Sequence, residues 1–282
     1  MHQLKSGEDI TRRYASHLLL IWEANFSFMK YVTLMFVMVC LMSCKKYMQN
    51  ATSVVTSDDV IVVKGTGDVH DKVDSFRHLL GDPLNMATGV VGGRREINWD
   101  GVPDSMVGKA LPDNFFNPVG GDAPVARQRG LVYSAGGEFR VSSANFAEVN
   151  SQAASQFAAF SGNKTFANIS SNLWEVGFDV AGESRAATIK GFGVVLSDVD
   201  LANSTSLEFF NDQKSLGKFF APAHDAATSF SFLGVYFKNE RITLIQVSHD
   251  GILSDGQKDI SDGGAHDLIV MDDFLYSEPV AR

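Results

Sequence analysis

The sequence predicts an all-β protein, an antiparallel β-sandwich preceded by a short helical segment. Its 282 residues include 25 glycines and 21 phenylalanines, a composition typical of β proteins rich in turns. Short apolar segments follow one another along residues 89–282, and turn residues separate them. No helical pattern alternates with these segments, so an antiparallel sandwich is expected rather than a parallel α/β sheet.

A short helix is predicted ahead of the sandwich, at residues 68–80. Apolar residues recur there at helical spacing, and an aspartate at position 68 or 71 can cap the first turn. Gly81 and Pro83 end the helix. Just before it, residues 59–64 (DVIVVK) are a candidate first strand.

The strands are predicted from two kinds of apolar pattern. In residues 173–180, Trp174, Val176 and Phe178 share one face, and this alternation predicts a half-buried strand with Trp174 in the core. Residues 189–196 are apolar on both faces, which is typical of a central strand. The other predicted strands are residues 95–99, 130–134, 138–142, 165–169, 206–211, 217–221, 228–237, 241–248 and 267–277.

Two connections are interpreted from their composition. Ala135-Gly136-Gly137 predicts a hairpin between the strands on either side of it. Residues 144–159 are rich in Ala and Ser, and they fit either a helix or a long loop.

The N-terminal part carries an export signal. Met29-Lys30 precedes an apolar run at residues 32–42, which is too short to span a bilayer and is followed by Ser43 and Cys44. Residues 41–44 (LMSC) resemble a bacterial lipobox, which implies lipidation of Cys44 and a membrane anchor. A buried helix with an incidental cysteine is the alternative.

The domain organisation follows from this signal. Residues 1–28 are expected to be a start-site extension, because signal peptides begin with their basic region. Residues 29–43 are the predicted lipoprotein signal peptide, and residues 44–66 a lipid tether and linker. A short helical segment at residues 67–88 then precedes the sandwich domain at residues 89–282.

Charge and cysteine content exclude some classes of protein. The net charge of −9 and the pI near 5.2 argue against nucleic-acid binding, which needs a basic surface. Once the signal peptide is removed, Cys44 is the only cysteine left, so the mature chain has no internal disulfide.

Several blocks resemble an uncharacterised family of secreted bacterial proteins, over roughly residues 89–278. These blocks are RREINWDGVPD, LPDNFFN, RGLVYS, IKGFGVVLSDVD, TSLEFFND and IVMDDFLYSE. The last strand, with Asp272-Asp273, is also similar to the final strand of jelly-roll carbohydrate-binding modules. That similarity implies a sandwich of jelly-roll type, and so a fold more than an activity.

Two aspartate pairs are candidate metal ligands. Asp198 and Asp200, with Asn203 nearby, lie in a polar connection between two strands, where side-chain oxygens could hold a structural Ca²⁺. A turn capped by these side chains is the alternative. Asp272 and Asp273 lie in an apolar strand, so at least one carboxylate needs a cation, an arginine or backbone N–H groups, unless a bulge turns it outward.

Other polar and aromatic residues have side chains that are suited to binding or catalysis. Trp99 and Tyr133 are candidates for stacking on a sugar, with core packing as the alternative. The aspartates at positions 255, 259, 262 and 267 are interpreted as a solvated loop. The pairs His224-Asp225, His249-Asp250 and His266-Asp267 lack a spaced metal partner, so no zinc or catalytic role is predicted.

The sequence as a whole predicts a lipid-anchored protein of the cell envelope, at the outer membrane. We expect a non-catalytic binding module with a glycan ligand, because no nucleophile elbow, phosphate-binding loop or dinucleotide motif is present. A polysaccharide hydrolase and a structural or adhesive surface protein are the alternatives. A hydrolase would need two carboxylates about 5–10 Å apart in a cleft.

Overall fold

The computed structural model describes residues 58–134, 136–224 and 229–282. Its described part contains one α-helix, α1 (His70–Leu80), and fourteen β-strands. The strands are β1 (Val60–Gly67), β2 (Arg94–Ile97), β3 (Leu131–Ser134), β4 (Phe139–Ser142), β5 (Thr165–Asn168), β6 (Leu173–Phe178), β7 (Ala187–Thr188), β8 (Gly191–Ser197), β9 (Ser206–Asn211), β10 (Lys214–Phe220), β11 (Phe230–Phe237), β12 (Leu244–Ser248), β13 (Val270–Ser277) and β14 (Val280–Ala281). The predicted start-site extension, the signal peptide and Cys44 lie outside the described residues.

The strands form two main antiparallel sheets. Sheet A has the order β1-β11-β8-β13-β5-β4, and β2 also pairs with β13. Sheet B has the order β10-β9-β12-β6-β3, and β7 and β14 form a separate two-stranded ribbon. The predicted all-β sandwich is therefore confirmed, while its jelly-roll type stays a prediction.

The main core lies between the inner faces of the two sheets. It contains Phe192 and Phe274 from sheet A, and Trp174, Phe209 and Val247 from sheet B. Alternate residues of β6 supply it, as the period-two pattern predicts. Strand β8 is buried along its whole length, because it is central in sheet A and covered on both faces.

Helix α1 covers the outer face of sheet A. Its apolar stripe, with Val73 and Phe76, packs against Phe232 and Leu275 of the sheet. The helix begins and ends close to the predicted bounds. Asp68 Oδ1 accepts a hydrogen bond from the His70 backbone N–H at 3.2 Å, which satisfies one free donor of the first turn.

One predicted connection is wrong, while one open alternative and one candidate strand are decided by the structure. The hairpin predicted at Ala135-Gly136-Gly137 is wrong, because β3 pairs with β6 in sheet B while β4 pairs with β5 in sheet A. Of the two alternatives for residues 144–159, a helix or a long loop, the structure shows turns and loop. The candidate first strand at residues 59–64 is confirmed as β1, which pairs along its full length with β11.

Candidate functional site

A cluster of buried acidic side chains lies at one end of the two central strands of sheet A. Ser197, the last residue of β8, pairs with Val270, the first residue of β13. The chain segments just beyond these two residues carry the acidic groups. We call the following four residues the aspartate cluster: Asp198, Asp200, Asp259 and Asp267.

Asp198 opens the connection from sheet A to sheet B. Its backbone has a positive φ of 70°, a conformation that aspartate tolerates better than most residues. Its side chain is fully buried, and among the described residues neither carboxylate oxygen has a hydrogen-bond partner. A buried carboxylate without donors is costly, so this position requires a compensating positive group.

Asp267 holds the same connection from the other side. Its Oδ2 accepts hydrogen bonds from the backbone N–H groups of Asp200 at 3.1 Å and Leu201 at 2.8 Å. Its Oδ1 is buried without a partner among the described residues. The second oxygen therefore remains available to a ligand.

Asp259 is fixed by its own turn. Its Oδ1 accepts hydrogen bonds from the backbone N–H and hydroxyl of Ser261, and its Oδ2 accepts one from the Leu268 N–H at 2.8 Å. The loop closes tightly here, since the Gly264 N–H donates to the Asp259 carbonyl at 2.8 Å. A Cβ at Gly264 would lie 2.0 Å from the Lys258 carbonyl oxygen. The glycine is therefore required for this closure.

His224 faces the cluster from the connection between β10 and β11. Its Nε2 lies 3.5 Å from Asp198 Oδ1, and both side chains are buried. This contact with Asp198 raises the pKa of His224, because the carboxylate favours the imidazolium form. Burial nevertheless raises the pKa of Asp198, and the imidazole only partly opposes that effect.

The donor atoms form two overlapping groups of three, and the atoms of each group are close enough to share an ion. One ligand atom each from Asp198, Asp200 and His224 lies within 4.8 Å of the others, and the same holds for Asp200, Asp259 and Asp267. Asp200 belongs to both groups. Burial, followed by a hydrogen bond with Asp259 and repulsion from the neighbouring carboxylates, raises the pKa of Asp200 to about 7.

An open pocket borders the cluster. It measures about 620 Å³, and its lining is mostly polar. The residues that line it are Asn172, Leu201, Ala202, Asn203, Ser204, Ser248, His249 and Asp250. Leu201 and Asn203 follow Asp200 directly in the chain, so one loop forms both the pocket wall and part of the cluster.

His249 is a neutral hydrogen-bonding residue of this pocket. Burial lowers its pKa to about 4, so the ring is uncharged at neutral pH. Its Nδ1 lies 2.9 Å from the Gly251 carbonyl oxygen, which can only accept, so Nδ1 carries the ring hydrogen. Nε2 is therefore the acceptor of this ring.

Asp272 and Asp273 both contact protein groups, although Asp272 Oδ1 is buried without a hydrogen-bond partner among the described residues. The pairing of β13 with β8 shifts register between Met271 and Phe274, and this bulge lets both carboxylates reach Ser161. Asp272 Oδ2 accepts from the backbone N–H groups of Phe160 and Ser161 at 2.6 and 3.0 Å. The bulge turns neither carboxylate outward, since Asp272 is 1% and Asp273 is 3% exposed.

Asp273 contacts Ser161 and Arg77, a residue of helix α1. Asp273 Oδ1 accepts from the Ser161 hydroxyl at 2.5 Å, and its Oδ2 lies 3.7 Å from Arg77 Nη2. Neither Asp272 nor Asp273 belongs to a candidate ligand group among the described residues. Their compensation comes from N–H groups and an arginine, two of the options that the sequence left open.

Trp99 and Tyr133 are core residues. They are 1% and 3% exposed, and the Trp99 ring stacks on Phe166 with ring centroids 4.0 Å apart. Tyr133 stacks on Phe139 at 4.3 Å. The predicted ligand-binding role of these two rings is wrong, because a buried ring has no face to offer a sugar.

The sequence pointed to only half of the aspartate cluster. The sequence predicts Asp198 and Asp200 as ligands. It predicts Asp259 and Asp267 to be solvated, but both are 0% exposed. His224 was assigned no role and proves to be the imidazole nearest to Asp198. The remaining aspartates of that loop, Asp255 and Asp262, are exposed as predicted.

Comparison with known proteins adds nothing to this geometry, since neither a protein-family model nor a curated protein matches the sequence. Among the described residues, no helix has the length and apolar character needed to cross a bilayer. The function is therefore inferred from the site itself.

Proposed function

We propose that this chain is a lipid-anchored protein of the cell envelope whose β-sandwich is a non-catalytic binding module with a glycan as its ligand. The observation that carries the proposal is the open polar pocket beside residues 200–204. Ligand sites are concave and place a few polar groups with defined geometry, and this pocket offers amide, carboxylate, hydroxyl and imidazole groups together.

Hydroxyl-rich ligands match these groups. Asp250 and the amides of Asn172 and Asn203 can accept or donate hydrogen bonds to neighbouring sugar hydroxyls. The pocket walls are held in place by backbone bonds: the His249 N–H donates to the Asn172 carbonyl at 3.0 Å, and Asn172 Nδ2 donates to the Asp250 carbonyl at 3.1 Å. Such pre-organisation lowers the entropy that binding costs.

The test is glycan binding with variants of the pocket. The purified full chain is titrated against a panel of soluble bacterial and plant polysaccharides by affinity electrophoresis and calorimetry. Asn203→Ala and Asp250→Ala are expected to weaken binding at least tenfold, because each removes hydrogen-bonding groups from the pocket. Gln213→Ala, an exposed amide on the turn between β9 and β10, is the matched control and should bind like wild type.

A polysaccharide hydrolase is the second candidate, and one observation favours it. Asp200 adjoins the pocket and has a pKa of about 7, a value suited to a general acid. Release of reducing ends from the same polysaccharides, abolished by Asp200→Asn, would establish this activity and contradict the non-catalytic proposal. A chain that neither binds nor cleaves any glycan would instead point to a structural or adhesive role.

A further inference from the structure

We propose that the aspartate cluster binds a divalent cation of the hard, oxygen-preferring class, with calcium as the best match. This inference goes beyond the glycan proposal: the cluster shares a loop with the pocket, but it is tested by ion binding and not by glycan binding. It adds Asp259 and Asp267 as ligands to the pair that the sequence indicated.

The first support is the imbalance of charge. Three of the four carboxyl groups, those of Asp198, Asp259 and Asp267, are 0% exposed. Within the parts of the chain that the structure describes, no lysine or arginine forms an ion pair with any member of the cluster, and His224 is the one basic partner. Four carboxyl groups facing one imidazole repel one another when they ionise, and a divalent cation would supply the missing positive charge.

The second support is the state of the oxygens themselves. Both oxygens of Asp198, Oδ2 of Asp200 and Oδ1 of Asp267 are buried and lack hydrogen-bond partners among the described residues. By contrast, Asp259 and the other oxygen of Asp267 are bound to backbone N–H groups. The hydrogen bonds fix the carboxylates in position, and the unpartnered oxygens remain for coordination. Asp259 Oδ2 accepts only one hydrogen bond in the described part of the chain, so it keeps a lone pair for an ion.

The third support is the spacing and chemistry of the donors. In each of the two groups that share Asp200, the ligand atoms lie within 4.8 Å of one another, which fits one calcium ion because calcium lies about 2.3–2.6 Å from each of its oxygens. Calcium, manganese and magnesium all favour carboxylate oxygens, whereas zinc and copper favour imidazole and thiolate. His224 then serves as a positioning residue, because its Nε2 faces Asp198 Oδ1.

The position of the cluster gives the ion a structural role. Asp198 and Asp200 lie in the connection that leaves β8 of sheet A for β9 of sheet B, while Asp259 and Asp267 lie in the loop that enters β13. One ion would therefore join two loops and hold the ends of the central strands together. A ligand that binds only the folded state stabilises that state.

The test is a titration of the full chain after treatment with a chelator. Calcium chloride is titrated in a calorimeter, and thermal unfolding is recorded with calcium and with excess chelator. At about a hundredfold excess over Kd, the midpoint should rise by roughly 5–10 °C. No heat and no shift with calcium, magnesium or manganese would overturn the proposal, and binding of zinc alone would contradict the class of ion.

Substitutions in the aspartate cluster test whether the ion binds there. Asp198→Asn and Asp267→Asn should abolish the calcium-dependent shift, yet leave the protein in chelator as stable as wild type or more so, because each removes a buried negative charge. Asp262→Asn lies in the same loop but is exposed, so it should keep the whole shift. A calcium shift that persists in both cluster variants would place the ion elsewhere and contradict the assignment.

Discussion

His224 and Asp198 face each other at 3.5 Å although they belong to different strand connections, and both side chains are withdrawn from water. The distance is longer than a good hydrogen bond, so the contact is mainly electrostatic. Each group changes the charge state of the other: Asp198 raises the pKa of His224, and His224 opposes the effect of burial on Asp198. The pair is therefore expected to be energetically coupled.

A double-mutant cycle measures that coupling. In chelator, His224→Gln should destabilise the protein by roughly 1–3 kcal/mol, because it leaves Asp198 without its basic partner. Adding Asp198→Asn should restore most of the loss. Urea unfolding of the four proteins gives the interaction free energy, and additive effects of the two substitutions would show that the groups do not interact.

The cluster illustrates what the sequence could and could not indicate. Asp198 and Asp200 stand out because two aspartates beside an asparagine in a short connection are a local pattern. Asp259 and Asp267 lie in a loop rich in Gly, Ser and Asp, where solvated aspartates are common. Their side chains lie near Asp198 because β8 pairs with β13. The pairing of two strands far apart in the sequence cannot be predicted from the local spacing of residues.

A buried ion pair joins β2 to the segment after β13, and its removal should be costly. Arg95 Nε and Nη2 contact the two carboxylate oxygens of Glu278 at 2.7 and 2.8 Å, and both side chains are buried. Arg95→Met should destabilise the protein by about 3–5 kcal/mol, because Glu278 remains buried without its counter-charge.

The matched control for this substitution is Arg185→Met. Arg185 pairs with Glu183 at 3.0 Å, but both side chains are more than half exposed, so its loss should change stability by less than about 1 kcal/mol. Chemical unfolding of both variants gives the comparison. Equal losses for the two arginines would mean that burial of the Arg95 pair contributes nothing.

Helix α1 packs on sheet A through glycines that leave room for Phe76. A Cβ on Gly234 would lie 2.6 Å from Phe76 Cδ2, and one on Gly193 would lie 2.8 Å from Phe76 Cε1. Gly234→Ala should therefore displace the ring and destabilise the domain by about 1–3 kcal/mol. Gly121→Ala, where a Cβ meets nothing within 4 Å, is the control, and an equal effect of both would contradict this packing.

The burial pattern of single strands is predictable from the sequence, whereas the sheet to which each strand belongs is not. The alternation in β6 and the two-sided apolar pattern of β8 gave the right burial, because side-chain periodicity is a local property. The connection at Gly136-Gly137 is not the predicted hairpin, because glycine-rich turns are found both in hairpins and in connections between two sheets. A Cβ at Gly136 would lie 2.7 Å from the Leu173 carbonyl oxygen, which explains glycine there without a hairpin.

The lipid anchor is a prediction that rests on sequence alone. Cys44→Ser should leave the protein in the soluble fraction of the producing bacterium or block its processing, because only cysteine carries the lipid. Radiolabelled palmitate incorporation and membrane fractionation are the measurements, and Ser43→Ala, which keeps a small residue before the cysteine, is the control. Membrane association and labelling unchanged by Cys44→Ser would refute the anchor.

Asp272 makes the stability of the domain depend on pH. Burial, together with repulsion from Asp273, raises its pKa from 3.8 to about 8. Between about pH 4 and pH 8 the unfolded chain loses a proton that the folded chain retains, so the free energy of unfolding falls as pH rises through that window.

Asp272→Asn removes this titration while its amide oxygen can still accept from Phe160 and Ser161. The stability difference between variant and wild type should therefore grow in favour of the variant, by on the order of 3 kcal/mol from pH 4.5 to pH 8.5. Urea unfolding at stepped pH measures that difference, Asp255→Asn at an exposed position should run parallel to wild type, and a parallel course for Asp272→Asn as well would show that Asp272 is ionised in the folded protein.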